Sequence, residues 1–480
     1  MNNEELILLE LYKGFAGKKA IGISQLPGSG SYRRYYRIET AGKPVIGVFN
    51  EDKKENEAFF SFTKHFFKLG FPVPELLACS EKDPIYLLSD LGDLTLFTFL
   101  SSIRSSQDEL PEEIVSIYKK VISWLPKFQV EGGKKIDYAK CYPRPAFDHQ
   151  SMMWDLNYFK YYFLKLAKIP FDEQKLEDDF ATLTDFLLTA DSDFFMYRDF
   201  QSRNIMLSEC DPWFIDYQGG RKGPLHYDIA SLLYDAKAAI PENIRQELLE
   251  YYISEVNRYV QVDHDQFVRV YYGFVLIRIL QAMGAYGFRG YYENKPHFLQ
   301  SIPYAVHNLE NILLHHPLPI KIPMLQDILG RIITNPDFRH YQAQENKLVI
   351  SIFSFSYKKG IPADDKGNGG GFAFDCRALP NPGRYDVYRK FTGKDLPVIE
   401  YLQKEPSVDE FLNHIFALVD QSVKMYIERG FLSLVVSFGC TGGQHRSVYC
   451  AESLARHISS KFPVTVEVVH AESQNFPVKP

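Results

Sequence analysis

The sequence predicts an α+β region over about the first 335 residues and a separate compact α/β domain after it. Three observations support this prediction. Short strand-like segments and helices fill residues 1–93, and the pattern from 94 to 335 is mostly helical. A polar run then separates the two regions, so we place a linker at 336–346. Strands and helices alternate through residues 347–480, which is typical of an α/β unit.

Composition excludes several classes of protein. The chain has 480 residues, is 45% hydrophobic and 24% charged, and is therefore not a disordered or fibrous chain. Its net charge of −6 disfavours a general nucleic-acid binder. Six cysteines form no C-x-x-C pair and the histidines form no H-E-x-x-H motif, so we expect reduced thiols and no dedicated metalloprotein site. Glu4 and Glu5 stand where a signal peptide would be positive, and we expect a cytoplasmic protein.

The first 93 residues predict a helix followed by a small sheet. Strand-like segments occur at 21–26, 35–40, 43–50 and 85–88. A turn between the first two of them contains Gly28, Ser29, Gly30 and Ser31. Phenylalanines at helical spacing predict a helix over 55–69 that ends at Gly70. The glycine-rich turn at 28–31 is positioned to cover phosphates with its backbone N–H groups.

Residues 94–335 are predicted to be helical except for short strands within 194–218. The most apolar stretch, 271–288, contains Arg278 and Gln281 in its middle. Polar residues at that position indicate a buried helix and not a membrane span. In the last domain, strands are predicted at 348–355, 372–375, 432–438 and 464–470, with helices over 408–429 and 447–457.

The motif YRDFQSRN at 197–204, followed by FIDYQ at 214–218, indicates phosphoryl transfer. That reaction needs a carboxylate beside the acceptor hydroxyl and oxygen ligands for Mg²⁺. Asp199 is the candidate catalytic base. Asn204, five residues later, and Asp216, after an apolar strand, are the candidate Mg²⁺ ligands. No Walker A sequence occurs, which disfavours P-loop ATPase chemistry.

Over about residues 20–300, these motifs resemble the aminoglycoside phosphotransferase/choline kinase-like family. The resemblance implies a protein-kinase-like bilobal fold, with a β-rich N-lobe over 1–93 and a helical C-lobe over 94–335, and ATP as the phosphate donor. Tyr197 stands where the family usually has His and should still organise the loop. Asp228, in HYDIA, matches a family segment whose carboxylate supports the catalytic loop.

One departure concerns the cation that holds the ATP phosphates. The expected strand lysine is missing from PVIGVFN at 44–50, while SYRRYYR at 31–37 supplies three arginines. That string resembles a segment of bacterial N-acetylmuramate/N-acetylglucosamine anomeric sugar kinases, as do LLSDLGD at 87–93 and DYQ at 216–218. Arginine can clamp phosphate oxygens in place of lysine, but which arginine does so stays open. The resulting candidates for ATP binding, besides the turn residues, are Arg33, Arg34, Ser89, Asp90 and Leu91.

The acceptor pocket is less well marked by the sequence. WDLNYF at 154–159 lies on a predicted helix before the catalytic loop, where the family builds its acceptor site. A carboxylate beside aromatic rings suits a sugar. Asp155, Arg203 and Gln218 are therefore the candidate substrate-binding residues, although an ordinary amphipathic helix explains the same letters.

A second constellation follows the strand at 432–438. GCTGGQHRS at 439–447 combines a glycine-rich turn with a helix N-terminus, which favours phosphate or another oxyanion. The spacing from Cys440 to Arg446 also fits the phosphate loop of cysteine phosphatases, with Cys440 as nucleophile. Gly439 stands where those enzymes usually have His, so we favour binding over catalysis.

Residues 347–470 resemble the C-terminal domain of the RNase adapter protein RapZ. Four segments match in order: SFSYKKGIP at 354–362, FDCRALPNP at 374–382, TGKDLPV at 392–398 and the GCTGGQHRSV string. The resemblance implies a phosphorylated amino sugar as ligand. It carries over Lys358, Arg377, Cys440, Thr441, Gly442, Gly443, His445 and Arg446. RapZ's P-loop half and basic ending are absent, so RNA binding is the less favoured alternative.

Taken together, the sequence predicts an ATP- and Mg²⁺-dependent kinase. Its acceptor is expected to be a hydroxyl of an amino sugar of the N-acetylmuramate/N-acetylglucosamine type, as in cell-wall recycling. The C-terminal domain is expected to bind a sugar phosphate and to regulate the kinase. Two alternatives stay open: a different acceptor, such as an aminoglycoside or choline, and a non-catalytic adaptor that binds RNA or a metabolite.

Overall fold

The structure is a computed structural model of the chain. It describes residues 2–27, 33–80, 82–103, 110–209, 211–293, 295–339, 348–362, 371–428 and 431–477. The chain divides into two compact units, Met1–Tyr341 and Gln342–Pro480. The turn residues Gly28, Ser29, Gly30 and Ser31 lie outside the described residues.

The first unit begins with a five-stranded antiparallel sheet in the order β1-β2-β3-β5-β4. The sequence predicted four of these strands, and β4 was missed because its four residues carry no alternating pattern. The strands are β1 (Gly22–Gln25), β2 (Arg34–Glu39), β3 (Val45–Phe49), β4 (Leu76–Cys79) and β5 (Ile85–Ser89).

Helix α1 (Asn3–Ala16) covers one face of this sheet. Asn2 and Glu5 form a reciprocal capping box at its N-terminus, with both hydrogen bonds at 2.8 Å. Leu8 is fully buried against the sheet. A Cβ atom at Gly47 would lie 2.9 Å from a Leu8 methyl group, so glycine permits this close approach. Glu4 also accepts hydrogen bonds from Arg34 on β2.

Helix α2 (Lys53–Lys68) joins the sheet to the main core. The side chain of Asp52 caps its N-terminus by accepting from the Glu55 N–H group. Phe59, Phe62 and Phe66, at helical spacing, are all buried. They belong to the large hydrophobic core that continues into the helical part of the unit.

The rest of the first unit is mainly helical. Two antiparallel pairs interrupt the helices, β6 with β9 and β7 with β8. The strands are β6 (Phe194–Met196), β7 (Ile205–Ser208), β8 (Asp211–Phe214) and β9 (Arg221–Gly223). The helices are α3 (Leu96–Ile103), α4 (Glu112–Pro126), α5 (His149–Phe159), α6 (Glu173–Leu187), α7 (His226–Leu233), α8 (Glu242–Val256), α9 (His264–Gly287), α10 (Ile302–His315), α11 (Pro323–Thr334) and α12 (Pro336–Arg339).

Helix α9 contains the apolar stretch noted in the sequence. The helical segment His264–Tyr292 is long and apolar enough to cross a membrane by length and composition. However, 67% of its most apolar window is buried inside the unit, as in the core helix of a soluble protein. The prediction of a buried helix is confirmed.

The second unit contains a four-stranded parallel sheet in the order β11-β12-β10-β13. The strands are β10 (Val349–Ser356), β11 (Gly371–Asp375), β12 (Ser433–Cys440) and β13 (Thr465–His470). The helices are α13 (Leu396–Gln403), α14 (Pro406–Glu428) and α15 (Arg446–Lys461). Each residue of β12 is buried, as expected for a central parallel strand. The predicted fold class, a kinase-like region followed by an α/β domain, is confirmed.

Candidate active site and anion site

Three residues predicted to act together lie on two loops at the ends of short strands. The Asn204 amide donates to the backbone carbonyl of Asp199 at 2.9 Å and to the carboxylate of Asp216 at 3.1 Å. Asn204 ends a short turn before β7, and Asp216 follows β8, its antiparallel partner. The hairpin therefore returns the chain to the same point and places the Asp199 backbone carbonyl and the Asp216 carboxylate beside one amide.

A buried carboxylate accepts hydrogen bonds from the backbone of the loop that carries Asp199. Asp228, at the start of α7, accepts hydrogen bonds from the backbone N–H groups of Tyr197 (2.8 Å) and Arg198 (2.9 Å). It also accepts from the Gln129 side chain at 3.0 Å. The Tyr197 hydroxyl donates to the Ile215 carbonyl at 2.7 Å and thus ties the two halves of the site together. These contacts match the supporting roles expected for Asp228 and Tyr197.

Two residues at the site have left-handed backbone conformations. The φ angle is 81° at Arg198 and 68° at Asp216. Such angles cost non-glycine residues about 1–3 kcal/mol each. The surrounding hydrogen bonds offset this cost, and the conformation of Asp216 directs its carboxylate to Asn204 and to Gln218, which donates at 2.6 Å.

The candidate metal ligands are the Asn204 amide oxygen and the Asp216 carboxylate, and oxygen atoms are the ligands that Mg²⁺ prefers. Burial and the nearby Asp199 raise the pKa of Asp216, against the lowering effect of Gln218. The Asn204 amide oxygen accepts no hydrogen bond within the described part of the chain, because only its NH₂ group is used. The described residues contain no cluster of three or more His, Cys, Asp or Glu that could hold a metal. Few protein oxygens are typical of Mg²⁺ bound together with phosphates.

A buried arginine stands close to these acids. Arg33 is only 4% exposed, and its guanidinium lies 3.3 Å from the carboxylate of Glu55 on α2. Its charge also acts on Asp216. In protein kinases, a lysine on a strand pairs with a glutamate on a helix, and the lysine holds the ATP phosphates. Glu55 was missed in the sequence analysis because no local motif marks it.

The other predicted ATP-binding residues differ in their surroundings. Arg34, the first residue of β2, pairs with Glu4 at 2.6 Å. Asp90 accepts from Arg37 at 2.6 Å, so this carboxylate fixes the segment after β5. Ser89 accepts from the Glu75 N–H group at 2.9 Å, and Leu91 is half-buried. These assignments stay predictions, and of Arg33 and Arg34 it is Arg33 whose charge acts on Asp216.

The predicted acceptor residues each contact another residue of the protein. Asp155 is buried and forms a bidentate ion pair with Arg198, at 2.6 and 2.7 Å. Arg203 lies over the ring of Phe97, 4.6 Å from its centre. Gln218 is bonded to Asp216. The structure thus gives the Asp155 carboxylate a partner within the protein.

A small cleft lies beside the loop that carries Asp199 and Asn204. It begins at Gln201, two residues after Asp199, and extends between α7, α9 and α10. Its lining combines a carboxylate, a guanidinium, an amide and aromatic rings: Gln201, Ser231, Tyr234, Asp235, Ala236, Arg278, Ile279, Ala282, Tyr286, Ala305 and Asn308. Its residues come from four separate segments, so sequence spacing could not reveal it.

In the second unit, the carboxyl ends of three parallel strands meet at the predicted anion site. Ser356, Asp375 and Cys440 end β10, β11 and β12, and the Ser356 hydroxyl donates to the Thr441 carbonyl at 2.8 Å. The Gly443 N–H group donates to the Cys440 sulfur at 3.2 Å. Burial raises the pKa of Cys440, but hydrogen bonds from Ser447 and from backbone amides outweigh this effect and lower it.

The other predicted anion-site residues divide into exposed and buried sets. Lys358, Thr441 and Gly442 are exposed, and a Cβ atom at Gly442 would meet open space. Arg377 lies over the Tyr357 ring at 4.1 Å and pairs with Asp375 at 2.6 Å.

Arg446 and His445 are buried and bind the protein itself. Arg446 donates to the carbonyls of Arg377 (2.9 Å) and Leu379 (3.0 Å). A ring nitrogen of His445 lies 3.1 Å from the Tyr388 carbonyl. Gly443 has a φ of 68°, which favours glycine. These residues shape the turn, and the exposed set faces solvent.

Two family profiles match the chain. Residues 22–263, half of the sequence, match the phosphotransferase enzyme family. Residues 348–474 match the RapZ C-terminal domain. Both resemblances drawn from the sequence are therefore confirmed.

Relatives and solved structures add two kinds of similarity. A nucleotide-binding protein of Koribacter versatilis is 38% identical over 137 residues, which are 28% of this chain and 43% of that protein. One of Aromatoleum aromaticum is 44% identical over 131 residues, 27% and 42% of the two chains. The chain thus spans less than half the length of these curated relatives.

Among solved structures, choline kinase LicA from Streptococcus pneumoniae has a TM-score of 0.41 and 14% identity, covering 64% of this chain and all of that chain. A Plasmodium vivax ethanolamine kinase has a TM-score of 0.45 and 12% identity, with 64% and 88% covered.

Proposed function

The chain belongs to the phosphotransferase enzyme family, and from that premise we propose that it is an ATP-dependent kinase of an amino-sugar hydroxyl. The observation that carries this proposal is the position of the Asn204 amide between Asp199 and Asp216. An acceptor of the N-acetylmuramate/N-acetylglucosamine type is supported by the arginine-rich segment and by the DYQ motif. We place the reaction in the cytoplasm, where ATP is available.

In this proposal Asp199 accepts the proton of the acceptor hydroxyl. The acceptor oxygen then forms a bond to the γ-phosphorus of ATP, and the bond from that phosphorus to ADP breaks. Asn204 and Asp216 would hold Mg²⁺, which neutralises phosphate charge when bound. Arg33, paired with Glu55, supplies the cation for the phosphates in place of the missing strand lysine.

The test is an ADP-release assay with a panel of acceptors: N-acetylmuramate, N-acetylglucosamine, choline and an aminoglycoside. We expect turnover with an amino sugar, and NMR of the product identifies the phosphorylated hydroxyl. Asp199→Asn should lower kcat by about 10²–10⁴-fold. Asp185→Asn, an exposed acid on α6, serves as the matched control and should change little. Equal turnover by wild type and Asp199→Asn would overturn the assignment.

The panel also separates the alternatives. Turnover of choline or the aminoglycoside alone would keep the phosphotransferase and replace the acceptor. A complete lack of turnover, together with RNA binding by the intact chain, would favour the adaptor alternative. The net negative charge of the chain speaks against that outcome.

We propose that the second unit binds a phosphorylated amino sugar at Lys358, Thr441, Gly442 and Arg377, and that this ligand regulates the kinase. The glycine-rich turn and the N-terminus of α15 support an anion at this point. Calorimetry of the full chain with a hexosamine phosphate should detect binding that the unphosphorylated hexosamine does not show. Lys358→Gln should weaken this binding, while equal affinity for both sugars would contradict the proposal.

A further inference from the structure

Another buried arginine lies close to the proposed base Asp199. Arg221 is the first residue of β9 and pairs with Met196, the last residue of β6, which precedes the loop that carries Asp199. Arg221 is only 7% exposed, and its Nε–H group donates to the Gly219 carbonyl at 3.0 Å. A Cβ atom at Gly219 would lie 3.6 Å from a carboxylate oxygen of Asp199. A single glycine therefore contacts both the arginine and the base.

The protein satisfies the guanidinium of Arg221 only in part. A guanidinium has five N–H donors, and the bond to Gly219 uses one of them. In the part of the chain that the structure describes, the Nη groups of Arg221 donate no hydrogen bond and form no ion pair with a carboxylate. Solvent reaches these Nη groups, unlike the fully buried Nε groups of Arg245 and Arg446. Their donors are therefore open to a ligand.

The neighbouring cations are paired with carboxylates of the protein, in contrast to Arg221. Arg198 forms the bidentate ion pair with Asp155, at 2.6 and 2.7 Å. Lys222, the next residue on β9, pairs with Asp193. Burial and the charge of Arg198 lower the pKa of Arg221 to about 10, so the side chain is still a cation at neutral pH. A buried cation is costly unless an anion offsets its charge.

Phosphoryl transfer brings an anion to this position. The acceptor hydroxyl must contact the Asp199 carboxylate, and the γ-phosphoryl group lies between that hydroxyl and ADP while it is transferred. In the transition state, negative charge is spread over the three equatorial oxygens of this group. A guanidinium can donate two parallel hydrogen bonds to two such oxygens. The open Nη groups of Arg221 thus suit the phosphoryl group in charge and in number of donors.

We propose that Arg221 is a catalytic residue that binds the γ-phosphoryl group during its transfer. The Nη groups donate to two phosphoryl oxygens while the bond from phosphorus to ADP breaks and the bond to the acceptor oxygen forms. The guanidinium keeps all its protons in this step. Arg33 holds the phosphates of bound ATP, whereas Arg221 acts on the group in transit. This inference rests on the proposed kinase function and adds a second cation to it.

The test measures ADP release by Arg221→Met, once with the sugar acceptor and once with water as the acceptor. Loss of a contact made only in the transition state should lower kcat about 10²–10³-fold and leave the KM for ATP nearly unchanged. Both acceptors should show the same loss, because the phosphoryl group is common to the two reactions. Arg221→Lys keeps the charge without the fork and should recover part of kcat.

Lys222→Met is the matched control, because this cation lies on the same strand and has its own partner, Asp193. Thermal melting separates a catalytic loss from unfolding. Since Arg221→Met removes a buried charge, we expect its melting temperature not to fall below that of wild type. If this variant unfolds, Arg221→Lys decides, and a wild-type kcat in the lysine variant would contradict the proposal.

Other results would also overturn the inference. An unchanged kcat in Arg221→Met would remove Arg221 from the reaction and leave the kinase assignment intact. A loss with the sugar alone would place Arg221 on the acceptor. Wild-type turnover that rises with inorganic sulfate, and does not rise in Arg221→Met, would show that the oxyanion comes from solution. If wild type transfers phosphate neither to a sugar nor to water, the proposed function itself fails.

Discussion

The guanidinium of Arg33 lies 3.3 Å from the carboxylate of Glu55. This ion pair joins the segment before β2 to helix α2. The ring of Phe59, one turn along α2, stacks on Tyr217 at 5.5 Å. Tyr217 follows Asp216 directly, and its hydroxyl lies 2.7 Å from that of Thr63. Helix α2, which positions the buried Arg33, is therefore also fixed to the segment that carries Asp216.

We predict that Arg33→Met raises the KM for ATP and lowers kcat, since the variant removes a buried cation whose charge acts on Asp216. A charge-assisted contact of this kind is worth about 1.5–3 kcal/mol, or roughly 10- to 100-fold in kcat/KM. Arg34→Met is the matched control, because Arg34 pairs with Glu4 away from the acids. Steady-state kinetics with varied ATP measure both, and equal effects would show that neither arginine has a special role.

We predict that Asn204→Ala increases the Mg²⁺ concentration needed for half-maximal activity. The substitution removes an oxygen ligand and the bridge between the Asp199 carbonyl and Asp216. Titration of activity with Mg²⁺ at saturating ATP measures the shift, which we expect to be about tenfold or more by analogy with lost metal-site contacts. An unchanged Mg²⁺ dependence would remove Asn204 from the metal site.

Asp228 should make stability depend on pH. Burial raises the pKa of its carboxyl to about 7, despite the hydrogen bonds from Tyr197, Arg198 and Gln129. Between the unfolded value near 4 and this value, the native state keeps a proton that the unfolded chain has released. The contribution of Asp228 to the free energy of unfolding therefore falls as pH rises through this window.

Urea denaturation at pH 5 to 8 tests this prediction. Relative to Asp228→Asn, the free energy of unfolding of wild type should decrease by on the order of 2 kcal/mol over that range. The variant is destabilised at every pH, so the difference in slope carries the information. Parallel pH profiles would mean that Asp228 stays charged.

Arg446→Met should destabilise the second unit and not merely weaken anion binding. The substitution leaves the carbonyls of Arg377 and Leu379 without their donor, at a cost of about 1–3 kcal/mol each when buried. Lys358→Met, at an exposed position, should leave the melting temperature unchanged. Calorimetric melting of the full chain measures both, and an unaltered melting temperature for Arg446→Met would contradict the structural role.

The sequence predicted the parts of the protein that depend on local patterns. Helical spacing located α2, and the succession of strands and helices indicated the α/β unit. The spacing of Asp199 and Asn204 predicts the catalytic loop. The pairing of Arg33 with Glu55 and the cleft at Arg278 depend on contacts between distant segments, which no local pattern encodes. The aromatic neighbours of Asp155 predict an acceptor residue, and the pairing of its carboxylate with Arg198 is a further contact that the local sequence does not encode.

The first helix has a practical meaning for anyone who trims this protein. The family match begins at residue 22, yet Leu8 and Tyr12 of α1 are buried in a separate cluster with Tyr36, Ile38 and Leu87. A truncated protein that starts at residue 22 would expose the hydrophobic sheet face that α1 covers, and this exposed surface would favour aggregation. An N-terminal affinity tag should therefore be placed before an intact helix α1.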